Sequence, residues 1–347
     1  MQAFSVRTRM RVESSQAKRK RKTSIPEGAN LITAAIQVAA NLFQFFILPL
    51  ILLPKDPRWC FAVLPLALFT NPFWALVHEA IHGVFHSSER FNRAVGRILS
   101  ILFGAPFHIL RLTHLSHHKF NRSPLERGTE IYDPHETSRF RAAAFYYLYI
   151  VCGLYLLEVA SAWIFFLPKK RFDAIGERLV SAGNSQERWL ASRFIEPENR
   201  REIRVDSLAI LLILGLSAYC YGAHWVILAV MLGLRTFLIS FMDNVYHYDT
   251  AVNVTVSAHN LRLPRVLSRA LLHFNLHRIH HTHPNVPWNR LPEIFERGKE
   301  FYDRSLWEAA INQFAGPISV EESLRRRLLR ARDLPRRSMP VIRPAAP

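Results

Sequence analysis

Cysteine is scarce in this chain: three residues in 347, Cys60, Cys152 and Cys220, each alone in an apolar segment. That scatter excludes a disulfide framework and a CxxC metal knuckle. Acidic residues are also in deficit, 27 against 45 basic ones, for a formal charge of +18. Internal repeats and low-complexity segments are missing. No small-residue cleavage pattern follows the first apolar stretch, and the basic leader before it is too long for a signal peptide, so no secretory signal is expected.

What the chain has instead is apolar length. Half of its residues are hydrophobic and 12% aromatic. Apolar and basic residues are segregated along the sequence. Nearly uncharged stretches run over 29–54, Trp59 to Val77, Ala142 to Pro168 (interrupted only by Glu158) and Ser207 to Met242. A helix needs about 20 apolar residues to cross a bilayer, so the expectation is an all-α integral membrane protein with about four transmembrane helices and a cytoplasmic helical cap. The basic leader (Arg7, Arg9, Arg11, then Lys18 to Lys22) and the Arg-rich tail (Arg325 to Arg337) place both termini in the cytoplasm by the positive-inside rule. These charges read as topology and anionic-lipid contact rather than nucleic-acid binding. In a bacterium the membrane would be the inner, plasma membrane. The expected organisation is a basic N-terminal segment over 1–28, a membrane domain over 29–315, and a loose basic tail over 316–347.

Three histidine clusters carry the chemistry: HEAIH at 78–82, HLSHH at 114–118 and HRIHH at 277–281. Imidazole is a metal ligand, and on a helix residues spaced i, i+3 and i+4 share a face. Eight convergent imidazoles are too many for one zinc ion, whose sites close at four ligands, and they suit two ions, each with an open position. The clusters must then lie on one side of the membrane. Between the first two lies only Ile98 to Leu110, too short to cross. Between the second and third an even number of crossings is required. Either 142–167 and 207–242 each cross once, or 207–242 crosses twice and 142–167 dips in without crossing. The nine Lys and Arg residues between Lys169 and Arg204 favour the second arrangement.

The order HxxxH, HxxHH, HxxHH, with the flanks HEAIHGVFH, LRLTHLSHHKF and FNLHRIHHTHPNVPWNRLPE, resembles the membrane fatty acid desaturases and their hydroxylase and ketolase relatives, over roughly 60–315. The resemblance implies a non-haem di-iron centre that uses dioxygen and two electrons to remove two hydrogens from an acyl chain. It carries over His78, His82, His114, His117, His118, His277, His280 and His281 as iron ligands. The family also has a ligand just after its last span, where this chain has DNVYHYD at 243–249. His247 is the candidate ninth histidine, with Asp243 and Asn244 placed to orient it or to hold a water, since ligating imidazoles usually donate their second N–H. Histidine spacing alone does not choose among iron, copper and zinc. Iron is favoured because zinc has no redox states for C–H oxidation.

Implied partners are an acyl lipid or acyl thioester, dioxygen, membrane lipids, and a separate electron donor such as ferredoxin or a b-type cytochrome. No HPGG-type haem motif is present in the sequence, and no nucleic-acid partner is expected. Two alternatives stand beside desaturation: a sister di-iron hydroxylase, ketolase or acetylenase, and a membrane zinc protease in which HEAIH acts as HExxH with Glu79 as general base. His86, His108, His273 and His283 are expected in local hydrogen bonds, and His135, His224 and His259 outside the site. Glu158 and Arg235 lie inside apolar segments, where a charge is costly and either functional or snorkelling at a helix end.

Overall fold

The computed structural model describes residues 25–333; the basic leader through residue 24 and the tail from 334 fall outside the described residues. Within them the regular elements are helices, apart from two parallel two-residue pairings, Ile131–Tyr132 with Ile318–Ser319 and Leu261–Arg262 with Arg304–Ser305.

The first span, α1 (Glu27–Leu52), is long and apolar enough to cross a bilayer. Its last part, Phe43–Leu52, is wound as a π-helix and contains Pro49. Pro49 removes one backbone donor and crowds the preceding turn, which the wider winding accommodates. Then α2 (Pro57–Leu68) and α3 (Thr70–Ile81) meet at a 40° bend. Pro72, two residues into α3, has no N–H for the Leu68 carbonyl, and the bend falls there. Together they make the second crossing.

The next pair, α4 (Glu89–Phe103) and α5 (Phe107–Phe120), turns through 99°. Gly104 caps α4 in the left-handed region, at φ 104°, and Pro106 starts the new direction. The sharp elbow returns the chain to the side it left, so the second histidine cluster stays with the first.

A 28-residue helix, α6 (Arg139–Phe166), comes next, followed by α7 (Lys169–Ala182) and α8 (Ser185–Phe194). The longest apolar stretch forms two helices, α9 (Pro197–Tyr221) and α10 (Trp225–His247), separated at Gly222 with φ 48°. The packing shows a hairpin. Ser217 and Tyr221 donate to the Phe45 and Gln44 carbonyls, while Arg235 donates to the Asn41 side chain, one turn away on α1. On a straight helix Ser217 and Arg235 would be about 27 Å apart at 1.5 Å per residue. Two crossings therefore occupy Ser207 to Met242.

α6 has the length and apolarity of a span, yet both its ends meet the same end of this hairpin. Tyr146 accepts from Asn244, near the end of α10, while the Phe165 and Leu167 carbonyls accept from Arg204 and Arg200, near the start of α9. A helix with both ends at one level does not cross. It packs along the site side of the helices, which leaves four candidate crossings: α1, α2 with α3, α9 and α10.

The cap follows as short helices: α11 (Arg265–Ala270), α12 (His277–Thr282), α13 (Leu291–Arg297), α14 (Leu306–Asn312) and α15 (Val320–Asp333). The first part of the expected loose tail is ordered. Ile318 and Val320 pack with Tyr146 and Tyr248, and this apolar burial fixes the start of α15 beside the strand pair.

Candidate metal centre

Each histidine cluster ends or forms a helix that points at one place. His78 lies in the last turn of α3 and His82 caps it, the second cluster fills the last half of α5, and the third is nearly the whole of α12. His247 is the last residue of α10. The nine imidazoles gather in two groups. His78, His82, His114, His118 and His280 form the first, with one ring nitrogen from each within 4.8 Å of all the others. His117, His247 and His281 form the second in the same sense, and His277 joins it with its Nε2 3.2 Å from the Nε2 atoms of both His247 and His281.

The sequence placed each cluster on one helical face; the structure divides the second and third between the groups. His117 and His118 are neighbours in the chain and so stand about 100° apart around the helix. The same offset separates His280 from His281. One face of α5 therefore feeds both groups, and α12 does likewise.

The ring nitrogens lie close enough together to share a cation. His114 Nε2 lies 3.0 Å from the Nε2 atoms of both His82 and His118, and His118 Nε2 lies 3.0 Å from that of His280. Each Nε2 carries at most one hydrogen, so lone pairs face one another along this chain. Burial first, and the neighbouring imidazoles second, hold His114, His118, His277, His280 and His281 well below the ordinary histidine range, leaving them neutral. Neutral, buried and convergent imidazoles are what a metal requires, and the residues present fit two ions.

His117 differs from the rest. Burial lowers its proton affinity, but Glu126, with Oε1 2.6 Å from His117 Nδ1, more than reverses that, and the net shift is upward. Glu126 in turn accepts from Gln186 of α8 at 3.0 Å, and Gln186 also reaches Ser116. This carboxylate was not legible in the sequence; only the fold brings residues 117, 126 and 186 together. In the second group the Nδ1 atoms of His247, His277 and His281 have no such partner among the described residues.

Asp243 and Asn244 do not orient the His247 ring. Asn244 donates to Tyr146 at 3.0 Å and to Gln313 at 2.8 Å, and Asp243 faces an adjoining cavity. His247 is held through its carbonyl instead, which accepts from Thr250 at 2.8 Å and from Arg122. Arg122 is itself buried against Glu130. Glu79, between the two histidines of the first cluster, turns away and accepts from the Trp288 backbone at 3.2 Å. Trp288 also donates to Asn30 from its indole at 2.8 Å, so the HPNVPW segment latches the third cluster to α1 and α3.

The remaining histidines are elsewhere. His86 pairs with Glu27, His273 with Ser268, and His259 with the Tyr248 carbonyl. His108, His135, His224 and His283 belong to neither group. Arg235 is a structural anchor that donates to Leu102, Phe103 and Asn41.

A cavity of about 800 Å³ opens beside the imidazoles, lined by His114 of the first group and by His117 and His247 of the second. Trp74, Phe145, Tyr149 and Leu154 give it apolar walls.

Comparison with known proteins agrees with this geometry. The family model described as fatty acid desaturase matches residues 57–310. An endoplasmic reticulum omega-3 fatty acid desaturase of Nicotiana tabacum is 36% identical over 64 residues, covering 18% of this chain and 17% of that protein. Delta(12) fatty acid desaturases of Mortierella isabellina and Mortierella alpina are each 41% identical over 46 residues, 13% of this chain and 12% of theirs. The chain thus spans less than a fifth of the length of these curated relatives.

Proposed function

Because the chain belongs to the fatty acid desaturase family, we propose that it is an oxygen-dependent desaturase of an acyl lipid with a non-haem di-iron centre. In that reaction a –CH2–CH2– unit, one dioxygen, two electrons and two protons give –CH=CH– and two waters. The observation that supports it is the pair of imidazole groups opening onto one cavity at the edge of the membrane helices.

His78, His82, His114, His118 and His280 would hold one iron, and His117, His247, His277 and His281 the other. When bound, the irons supply the redox chemistry that activates dioxygen. The protein supplies position. The cavity walls hold the chain so that one carbon pair faces the centre, and such orientation contributes several kcal/mol, up to roughly 7–11 where alignment is good. Glu126 holds His117 in one tautomer, with the proton on Nδ1 and the lone pair of Nε2 turned to the metal.

The two electrons would come from a separate donor protein, and the substrate would be an acyl lipid or acyl thioester. The basic α7 and α8 region lies on the site side of the hairpin, which by charge supports a cytoplasmic centre. The zinc-protease alternative loses its general base, since Glu79 is spent on the Trp288 backbone.

Gas chromatography–mass spectrometry of total lipids from cells expressing wild type or His280→Ala tests the reading. A new double bond only with wild type, and a variant that inserts normally but is inactive, is the expected result. A hydroxylated, keto or acetylenic product would move the protein to the sister oxygenases, and full activity in the variant would overturn the ligand assignment.

A further inference from the structure

The cavity beside the two imidazole groups is not a hydrocarbon sleeve. α6 is uncharged from Ala142 to Pro168 except at Glu158, and that one carboxyl lines the cavity. Its single hydrogen-bond partner among the described residues is Thr113, at 3.3 Å. The Thr113 hydroxyl has one hydrogen to give and lies closer to its own helix, 3.0 Å from the Ile109 carbonyl. Glu158 is therefore weakly satisfied within the protein. Asp243 lines the same space and has neither hydrogen bond nor ion pair among the described residues. Of the other acidic groups of the cavity, Glu136 is exposed, and the rest are engaged: Glu130 with Arg122, Glu126 with His117 and Gln186, and Asp133 with Arg127 at 3.9 Å.

These two carboxyls sit at the level of the reaction. Thr113, which meets Glu158, precedes His114 of the first group, and Asp243 is one turn before His247 of the second. A plain methylene chain drawn into this space would strip water from both and return nothing. Burying an uncompensated polar group is unfavourable, and more so for a charged one. A chain with its own donor recovers that cost.

We propose that the cavity selects an acyl chain carrying a hydroxyl (or a comparable neutral hydrogen-bond donor) within a few bonds of the reacting carbons, with Glu158 as the specificity-determining acceptor. This rests on the oxygenase reading above and narrows its substrate class. A site built to hydrogen-bond a hydroxyl can reject the analogue lacking it by roughly 10⁴–10⁵ where no other partner is found. Here water and Thr113 soften the penalty, and a preference of about 10²-fold is expected.

The test offers membranes containing the iron-loaded enzyme and its reductant an equimolar mixture of stearoyl lipid and a positional series of monohydroxystearoyl lipids, with products read by mass spectrometry. Wild type is expected to oxidise at least one hydroxylated chain about 100-fold faster in kcat/KM than the plain chain. Glu158→Leu should bring the ratio to within a few-fold, chiefly by improving the plain chain. Glu158→Gln, which still accepts a hydrogen bond, should retain most of the preference, which a merely structural role would not reproduce. A wild type that favours the plain chain, or a ratio unchanged in Glu158→Leu, overturns the inference and leaves the desaturase reading standing. No oxidised product from any chain by protein holding two irons overturns that reading and this inference with it.

Discussion

The two imidazole groups are built from the same clusters but are not equivalent. The first has five rings drawn from α3, α5 and α12 and contributes one residue, His114, to the cavity wall. The second has four, contributes two residues to that wall, and depends on contacts from outside the clusters: Glu126 on His117 and Arg122 on the His247 carbonyl. Redundancy in one group and external support in the other teach where the site is fragile. A ligand set in excess of four tolerates a loss better than a set with none to spare, and a ligand at a helix end is only as fixed as what grips that end.

The comparison breaks first at the ligands. His247→Ala should reduce retained metal from two per chain toward one and abolish lipid oxidation, a larger loss than the roughly 10–100-fold that removing an outer partner costs. His82→Ala, in the five-ring group, should keep metal content between one and two while also losing activity. Metal analysis by inductively coupled plasma mass spectrometry distinguishes them, and equal metal loss in both variants would remove the asymmetry.

Next in size is Arg122→Ala. It leaves Glu130 buried without its cation and frees the His247 carbonyl. Breaking a buried pair costs about 3–5 kcal/mol, so thermal unfolding in detergent should shift down by several degrees and metal should leave the second group first. Glu126→Gln comes after it, with metal affinity at the second group falling about 10–100-fold and the first group unchanged in a chelator competition. The smallest effect belongs to Glu79→Gln. The amide can still accept from Trp288, so stability should change by about 1 kcal/mol or less, with oxidation retained. Complete inactivity of a folded Glu79→Gln protein would revive a general-base role.

The pattern of these effects follows what the sequence could and could not carry. Apolar length gave the membrane class, because span length is set by bilayer thickness; the run from Ser207 to Met242 left one or two crossings open, and the basic residues from Lys169 to Arg204 favoured two. Helical spacing set the box histidines on shared faces, the family resemblance pointed to His247, and the fold gathers these nine rings. The division of His117 from His118, and of His280 from His281, follows from helix geometry but needs the partner helices before it acquires meaning. Glu126, Arg122 and Gln186 were invisible since their contacts join segments with no shared periodicity. Asn244 is close in sequence to His247 yet bonds Tyr146 and Gln313, and Asp243 faces the cavity, as proximity along a helix fixes direction but not partner. α6 was legible as apolar, and only the basic stretch after it favoured a dip without a crossing, for length permits a crossing without requiring one.

The most direct test of the two-group account is the metal content of the purified wild-type protein, measured as iron, zinc and copper per chain after expression in iron-replete medium. Two irons per chain, falling toward one in His247→Ala, is the predicted result. One zinc per chain, unaffected by loss of His247, would contradict it.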